Sequence, residues 1–144
     1  MAEYKRPLPE PTPETQHFWD GCLDGELKLQ KCDACEKSYF PPRAFCPACG
    51  SRDVSVYTAS GEATLYSYVI NHRPRPDMGT EPHSIAVVEL AEGPRMMTNV
   101  IDCPQTPEAL VLDMALQVTF EKASDTINLP KFKPASSKKA GAKT

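Results

Sequence analysis

The chain has 144 residues, of which 40% are hydrophobic and 24% charged, with a formal net charge of −3. That length suits one compact domain, or one small domain with a metal-stapled module, and the composition is that of an ordinary soluble globular protein. No run approaches the roughly 18 to 20 apolar residues that a membrane-spanning helix requires.

The first residues, Met1-Ala-Glu-Tyr-Lys-Arg-Pro7, hold no apolar stretch that could serve as a secretory signal. A cytoplasmic setting is therefore expected, where reduced thiols are available to bind metal. Pro7, Pro9, Pro11 and Pro13 alternate through this segment and predict an extended, polyproline-like arm. Thr12-Pro13-Glu14 reads as a helix start, with Thr12 as the cap. The helix so opened places Phe18, Trp19, Cys22 and Leu23 on one apolar face and stops at Gly25. Arm and helix make a first segment, residues 1–25.

Residues 26–58 carry the strongest pattern of the chain. Cys32-Asp-Ala-Cys35 and Cys46-Pro-Ala-Cys49-Gly50 are two C-x-x-C pairs separated by ten residues. Each pair forms a tight turn that aims two thiolates at one point, and two such knuckles complete a tetrahedral, all-cysteine zinc site. Such a site leaves no open position for water or substrate, so the zinc is expected to hold structure. Glu26–Lys31 alternates with period two and predicts a strand into the first knuckle, and Asp53–Thr58 predicts one leaving the second. Gly50 suits the left-handed backbone that a knuckle needs, whereas the first pair is followed by Glu36. Cys22 and Cys103 lie outside the pattern and read as small buried hydrophobes.

Residues 59–130 are mostly β. Gly61–Ile70, Ser84–Leu90, Arg95–Ile101 and Leu116–Phe120 predict strands, with a bend or bulge at Gly61 and a turn at Ala91–Pro94. Thr106-Pro107-Glu108 predicts one helical turn. These elements fit a small Greek-key barrel of the OB type. The fold class is thus mainly β: an N-terminal helix, a zinc ribbon and an OB-type barrel. Residues 131–144 hold five lysines and no acid. Without them, the first 130 residues carry −8, so an acidic body precedes what is expected to be a basic disordered tail.

No metalloprotease, phosphate-loop, dinucleotide or G-x-S-x-G motif occurs, and no nucleophile stands at a recognisable spacing from a histidine. The loop Asn71-His-Arg-Pro-Arg-Pro-Asp77 is the best candidate for ligand contact. His72, Arg73 and Arg75 lie in it, and two proline-stiffened guanidinium forks suit phosphate or carboxylate groups. A ribbon joined to an OB barrel also invites a nucleic-acid reading. The acidic body and the lack of basic residues interleaved with stacking aromatics argue against it.

In order, Phe18-Trp19, Gly25–Cys32, Tyr39-Phe-Pro-Pro-Arg43, Cys46-Pro-Ala-Cys49-Gly50, Ser60–Ser67, His72-Arg73 and Ile85–Arg95 resemble a family of small bacterial and archaeal proteins. These have an N-terminal helix, a rubredoxin-like zinc ribbon and an OB barrel, are associated with acyl-CoA enzymes, and were long catalogued as a domain of unknown function. The resemblance covers roughly residues 12–133. Two positions depart from it. Glu36 stands where the family usually has glycine, and Leu112-Asp113-Met114 replaces an Ile/Leu-Gly-Met turn.

The resemblance implies a zinc-binding accessory subunit whose catalytic residues belong to its partner. That partner would be a thiolase-like enzyme, or an aldolase or hydratase acting on acyl-CoA, commonly in a heterotetramer. The small subunit of a two-component thiolase that cleaves an oxo-acyl-CoA is one such setting, as in the benzoylsuccinyl-CoA enzyme of anaerobic toluene breakdown. On that reading Phe18, Trp19, Phe40, Pro41 and Pro42 face the partner, and His72, Arg73 and Arg75 lie near bound CoA or acyl-CoA.

Overall fold

A computed structural model describes residues 6–135 of the chain. The arm from residue 6 to 11 has no regular structure and ends in a turn. In that turn the Thr15 amide donates to the Thr12 carbonyl at 3.0 Å, and the Thr12 amide donates to Thr15 Oγ1 at 2.9 Å. The two threonines satisfy each other, so helix α1 (Gln16–Leu23) opens at Thr15 and not at Thr12 as predicted. Phe18 and Cys22, one turn apart, are its buried stripe, whereas Leu23 is 43% exposed and leaves the expected apolar face.

Three strands form the ribbon: β1 (Lys28–Cys32), β2 (Ser38–Tyr39) and β3 (Val54–Thr58). β1 is central, pairing antiparallel with both neighbours, and Cys32 lies opposite Val54 at its end. The sheet therefore delivers the first cysteine beside the strand that leaves the second knuckle.

The larger sheet comprises β4 (Glu62–Asn71), β5 (His83–Leu90), β6 (Arg95–Thr98), β7 (Ala115–Lys122) and β8 (Asn128–Pro134), in the order β6-β5-β4-β7-β8. β5 alternates strictly between half-exposed and buried, the pattern of a strand with one face on a core. β4 pairs with β7 only over Glu62–Thr64, and its ladder with β5 is broken by a bulge between Leu65 and Ser67. The bulge bends β4 away from β7 and turns Tyr66 outward, where Arg95 lies over its ring at 3.8 Å.

The chain after β6 then closes the sheet on itself. Val100 bridges Phe132 in parallel, the Phe132 amide donates to Asn99 O at 3.1 Å, and the Ile101 amide donates to Phe132 O at 2.8 Å. Four antiparallel pairings and one parallel closure make the OB-type barrel expected from the sequence. Phe132 is fully buried at its seam, with Leu65, Val88, Val100 and Leu116 in the same core.

β8 corrects the sequence reading in two respects. The sequence predicts the final strand at Leu116–Phe120 and a tail from residue 131 onward. Proline at 130 and 134, with lysine at 131 and 133, hid a strand whose fully buried apolar residue, Phe132, fills the barrel. Prolines are tolerated there because the strand lies at the end of the hydrogen-bonded order and pairs fully with β7 alone. The basic segment 136–144 lies outside the described residues.

Candidate metal centre and flanking surfaces

Each knuckle is built by the backbone before any metal is considered. The Glu36 amide donates to Cys32 O at 2.8 Å and the Gly50 amide to Cys46 O at 2.9 Å, closing the same turn twice. Amides inside the turns point at sulfur: Cys35 N–H to Cys32 Sγ at 3.4 Å, Ala48 N–H to Cys46 Sγ at 3.3 Å, and Cys49 N–H to Cys46 Sγ at 3.4 Å. Gly50 has φ +80° and Glu36 φ +65°, so the glutamate adopts the left-handed conformation that the second knuckle assigns to glycine.

The four sulfurs converge. Cys32 and Cys49 are 3.6 Å apart, Cys35 and Cys46 3.7 Å, and all four lie within 4.8 Å of one another. A zinc–sulfur bond of about 2.3 Å places tetrahedral sulfurs about 3.8 Å apart. The cluster therefore has the dimensions of a four-thiolate zinc site, with all four cysteines free of disulfides. The N–H groups favour the thiolate state at the first cysteine of each pair, whereas neighbouring sulfurs and burial push the thiols of Cys35 and Cys49 up. The Cys49 amide, helped by that of Ala48, brings the Cys46 thiol down to about 7, and the Cys35 amide lowers that of Cys32. The site is closed: four protein ligands would hold the ion, whose contribution is cross-linking.

Cys22 is completely buried, and burial pushes its thiol up to about 12, as expected of an inert packing residue. Cys103 is only half-buried, its thiol raised by burial and by Asp102.

The residues expected to face a partner divide into two kinds. Phe18 is only 4% exposed and belongs to the chain's own core, so its contact with a partner is corrected to a supporting role. It props two neighbours: Trp19 stands edge-on to it at 5.0 Å, and Phe40 lies tilted at 5.3 Å. Trp19 and Phe40 are partly buried, Pro42 half-buried and Pro41 exposed. Two side chains that sequence reasoning passed over pin the loop they share. The Arg43 amide donates to Gln30 Oε1 at 2.7 Å, and the Tyr39 hydroxyl donates to Arg43 O at 3.1 Å. Gln30 sits at a position of β1 where alternation offers a strand residue and nothing marks a loop anchor.

His72, Arg73 and Arg75 all sit exposed on the β4–β5 loop, and none of them belongs to the four-cysteine cluster. Arg75 is not a free fork. Its Nε donates to Asp77 Oδ1 at 3.0 Å while its terminal nitrogen engages Oδ2, and the pairing holds the Asp77 carboxyl below its usual range. Of the two guanidinium groups, Arg73 is the one that carries no ion pair among the described residues.

A buried lysine was missed altogether. Lys131 is 7% exposed on β8, bonded to Asn99 Oδ1 and 3.7 Å from Glu121. Desolvation lowers its pKa while Glu121 opposes the shift. No helix of the described residues is long and apolar enough to cross a membrane.

Comparison with known proteins places these features together. Residues 19–55 match the family described as the ChsH2 rubredoxin-like zinc ribbon domain, and residues 56–121 match the ChsH2 C-terminal OB-fold domain. A DUF35 domain-containing scaffold protein of Methanocaldococcus jannaschii is 30% identical over 97 residues, 66% of this chain and 67% of that protein. A probable enoyl-CoA hydratase alpha subunit of Thermomonospora curvata is 32% identical over 130 residues, 90% of this chain. The match spans only 40% of that longer protein. A solved chain of the Ltp2-ChsH2(DUF35) aldolase matches with TM-score 0.79 at 30% identity, covering 90% of this chain and 100% of that one. With its four-cysteine ribbon and OB barrel, the chain belongs to the DUF35 family of zinc-ribbon/OB-fold proteins.

Proposed function

We propose that this chain is a non-catalytic scaffold subunit that docks on the catalytic subunit of an acyl-CoA enzyme and helps shape acyl-CoA access. One observation carries the reading: the match, at TM-score 0.79 and over that chain's whole length, to a component of the Ltp2-ChsH2(DUF35) aldolase. The closed thiolate site supports it, because zinc held by four cysteines stabilises a surface and offers no coordination position to a substrate. The surface so held is the loop Phe40–Arg43 with Trp19 beside it. Trp19, Phe40, Pro41 and Pro42 form the docking edge, and Arg73 with His72 is the part of the barrel suited to an anionic ligand such as CoA.

The same comparison supports a partner class. A carbon–carbon-cleaving acyl-CoA aldolase fits at least as well as a thiolase-type acyltransferase, the benzoylsuccinyl-CoA thiolase setting included. A hydratase is the second reading, favoured by the Thermomonospora curvata relative. Co-expression with one aldolase, one thiolase and one hydratase subunit, followed by light scattering of the purified material, separates the three. The expected result is a zinc-containing hetero-oligomer of heterotetramer mass with the aldolase or the thiolase, weakened at least tenfold by Trp19→Ala with Phe40→Ala. Turnover of an acyl-CoA by the isolated chain, or retention on DNA or RNA at physiological salt without any subunit bound, would overturn the proposal.

A further inference from the structure

The two cysteines of each knuckle are not equivalent. Cys32 and Cys46 are 0% and 1% exposed, whereas Cys35 and Cys49 are open to solvent. Ala34 and Ala48 precede the open cysteines, are themselves exposed, and are too short to cover a neighbouring sulfur. Zinc keeps the thiols it binds deprotonated, so the loaded site holds two thiolates that solvent reaches and two that it does not. Each open sulfur also has a buried one of the other knuckle at contact distance. Cys35 lies 3.7 Å from Cys46, and Cys49 lies 3.6 Å from Cys32. The other two cysteines differ: Cys22 is fully buried, and Cys103 is half-buried and stands outside the cluster.

An accessible thiolate with a shielded one in contact behind it suits a two-step reaction with a hydroperoxide. We propose that Cys35 and Cys49 are peroxide-reactive thiolates, each resolved by the buried sulfur opposite it, so that oxidation replaces the zinc cross-link with the disulfides Cys35–Cys46 and Cys32–Cys49. In the first step Cys35 Sγ attacks one oxygen of hydrogen peroxide. A sulfur–oxygen bond forms, the oxygen–oxygen bond breaks and hydroxide leaves, which makes a sulfenic acid. In the second step the Cys46 thiolate attacks that sulfur. The sulfur–sulfur bond forms, the sulfur–oxygen bond breaks and a second hydroxide leaves. Two thiolates lose two electrons, and one peroxide gains them. Cys49 and Cys32 consume a second peroxide in the same way, and the ion, left without thiolate ligands, is released. Because the new bonds run between the knuckles, the loop carrying Phe40–Arg43 remains closed at its base by Cys35–Cys46.

Titration of the full zinc-loaded chain with hydrogen peroxide, with released zinc read by a coloured indicator, tests this. Zinc release should rise in step with disulfide formation, and peptide mapping after alkylation should find Cys35–Cys46 and Cys32–Cys49. Thiol loss at Cys35 and Cys49 should be at least about tenfold faster than at Cys22 and severalfold faster than at Cys103, following thiolate character and exposure. A dithiol reductant with added zinc should restore the loaded site. Cys103→Ser should leave the rate of release unchanged. Ala34→Leu with Ala48→Leu, which shades both open sulfurs and replaces no ligand, should slow release severalfold at unchanged zinc affinity. Release that ignores the two leucines, disulfides formed within Cys32–Cys35 or Cys46–Cys49, or oxidation that begins at Cys103 would overturn the proposal.

Discussion

The ribbon and the barrel are both small antiparallel sheets, but they bury different things. Between Cys32 and Val54 the buried side chains are Tyr39 and Cys46, and β2 is two residues long. The barrel by contrast closes around Leu65, Val88, Val100, Leu116 and Phe132, each fully buried or nearly so. Leu27 and Leu29, at the base of the ribbon, pack in the barrel's cluster together with Phe18, Cys22 and Ala59. Dependence on metal should therefore begin at the knuckles, inside the ribbon, and not at its junction with the barrel.

Removing zinc should have the largest effect and locates that boundary. Binding of structural zinc supplies about 10 kcal/mol or more in zinc-finger peptides, and the knuckles have almost no core to replace it. Chelation, or Cys46→Ser, is expected to collapse amide resonances across residues 32–53 while those of Val88, Leu116 and Phe132 persist. Under the proposed scaffold function, binding of a catalytic subunit should be lost with them. Loss of the barrel signals in the same step would show that the two sheets fold as one unit.

Phe132→Ala probes the other half. Truncating a buried phenylalanine costs about 3–5 kcal/mol. Here it removes the side chain at which β8 meets Asn99–Ile101. Denaturant unfolding should show that loss while the zinc content of the folded fraction is unchanged. A drop in zinc stoichiometry under native conditions would couple the halves more tightly than their packing suggests.

Gly61→Ala should cost less, about 1–3 kcal/mol by overpacking. Gly61 has φ +85°, and a Cβ there would meet Val118 Cγ1 at 2.6 Å and Gln117 Nε2 at 2.8 Å. Its effect belongs to the barrel alone, and equal zinc affinity in both proteins is the expected control.

These contrasts also explain what the sequence disclosed. A metal site made by two short turns is written in consecutive residues, so all four ligands and even the misfit at Glu36 were legible. Strands with a clean period of two, such as β5, were legible for the same local reason. β8 was not, because its place depends on Phe132 finding Val100, thirty-two residues earlier, and its prolines and lysines have the composition of a tail. Phe18 beside Trp19 looked like one surface pair. Only the packing of the helix on β1 and the barrel sends one ring inward and leaves the other at the edge. Arg75 was read as a free fork because nothing in Arg-Pro-Asp announces that the aspartate will turn back onto it.

The smallest effect comes from comparing the two knuckles with each other. They share the same closing hydrogen bond and differ in the residue that must adopt positive φ, Glu36 at +65° against Gly50 at +80°. A left-handed conformation costs a residue with a Cβ about 1–2 kcal/mol, and glycine escapes that cost while losing more backbone entropy on folding. The net expectation for Glu36→Gly is a gain of about 1 kcal/mol, confined to the metal-dependent half. It should appear as a several-fold slower loss of zinc to a competing chelator, with denaturant unfolding of the barrel unchanged. The reverse exchange, Gly50→Glu, should accelerate zinc loss by a similar factor. If the two substitutions move the rate in the same direction, backbone strain does not distinguish the knuckles, and the left-handed turn at Glu36 must be held by contacts of its own side chain.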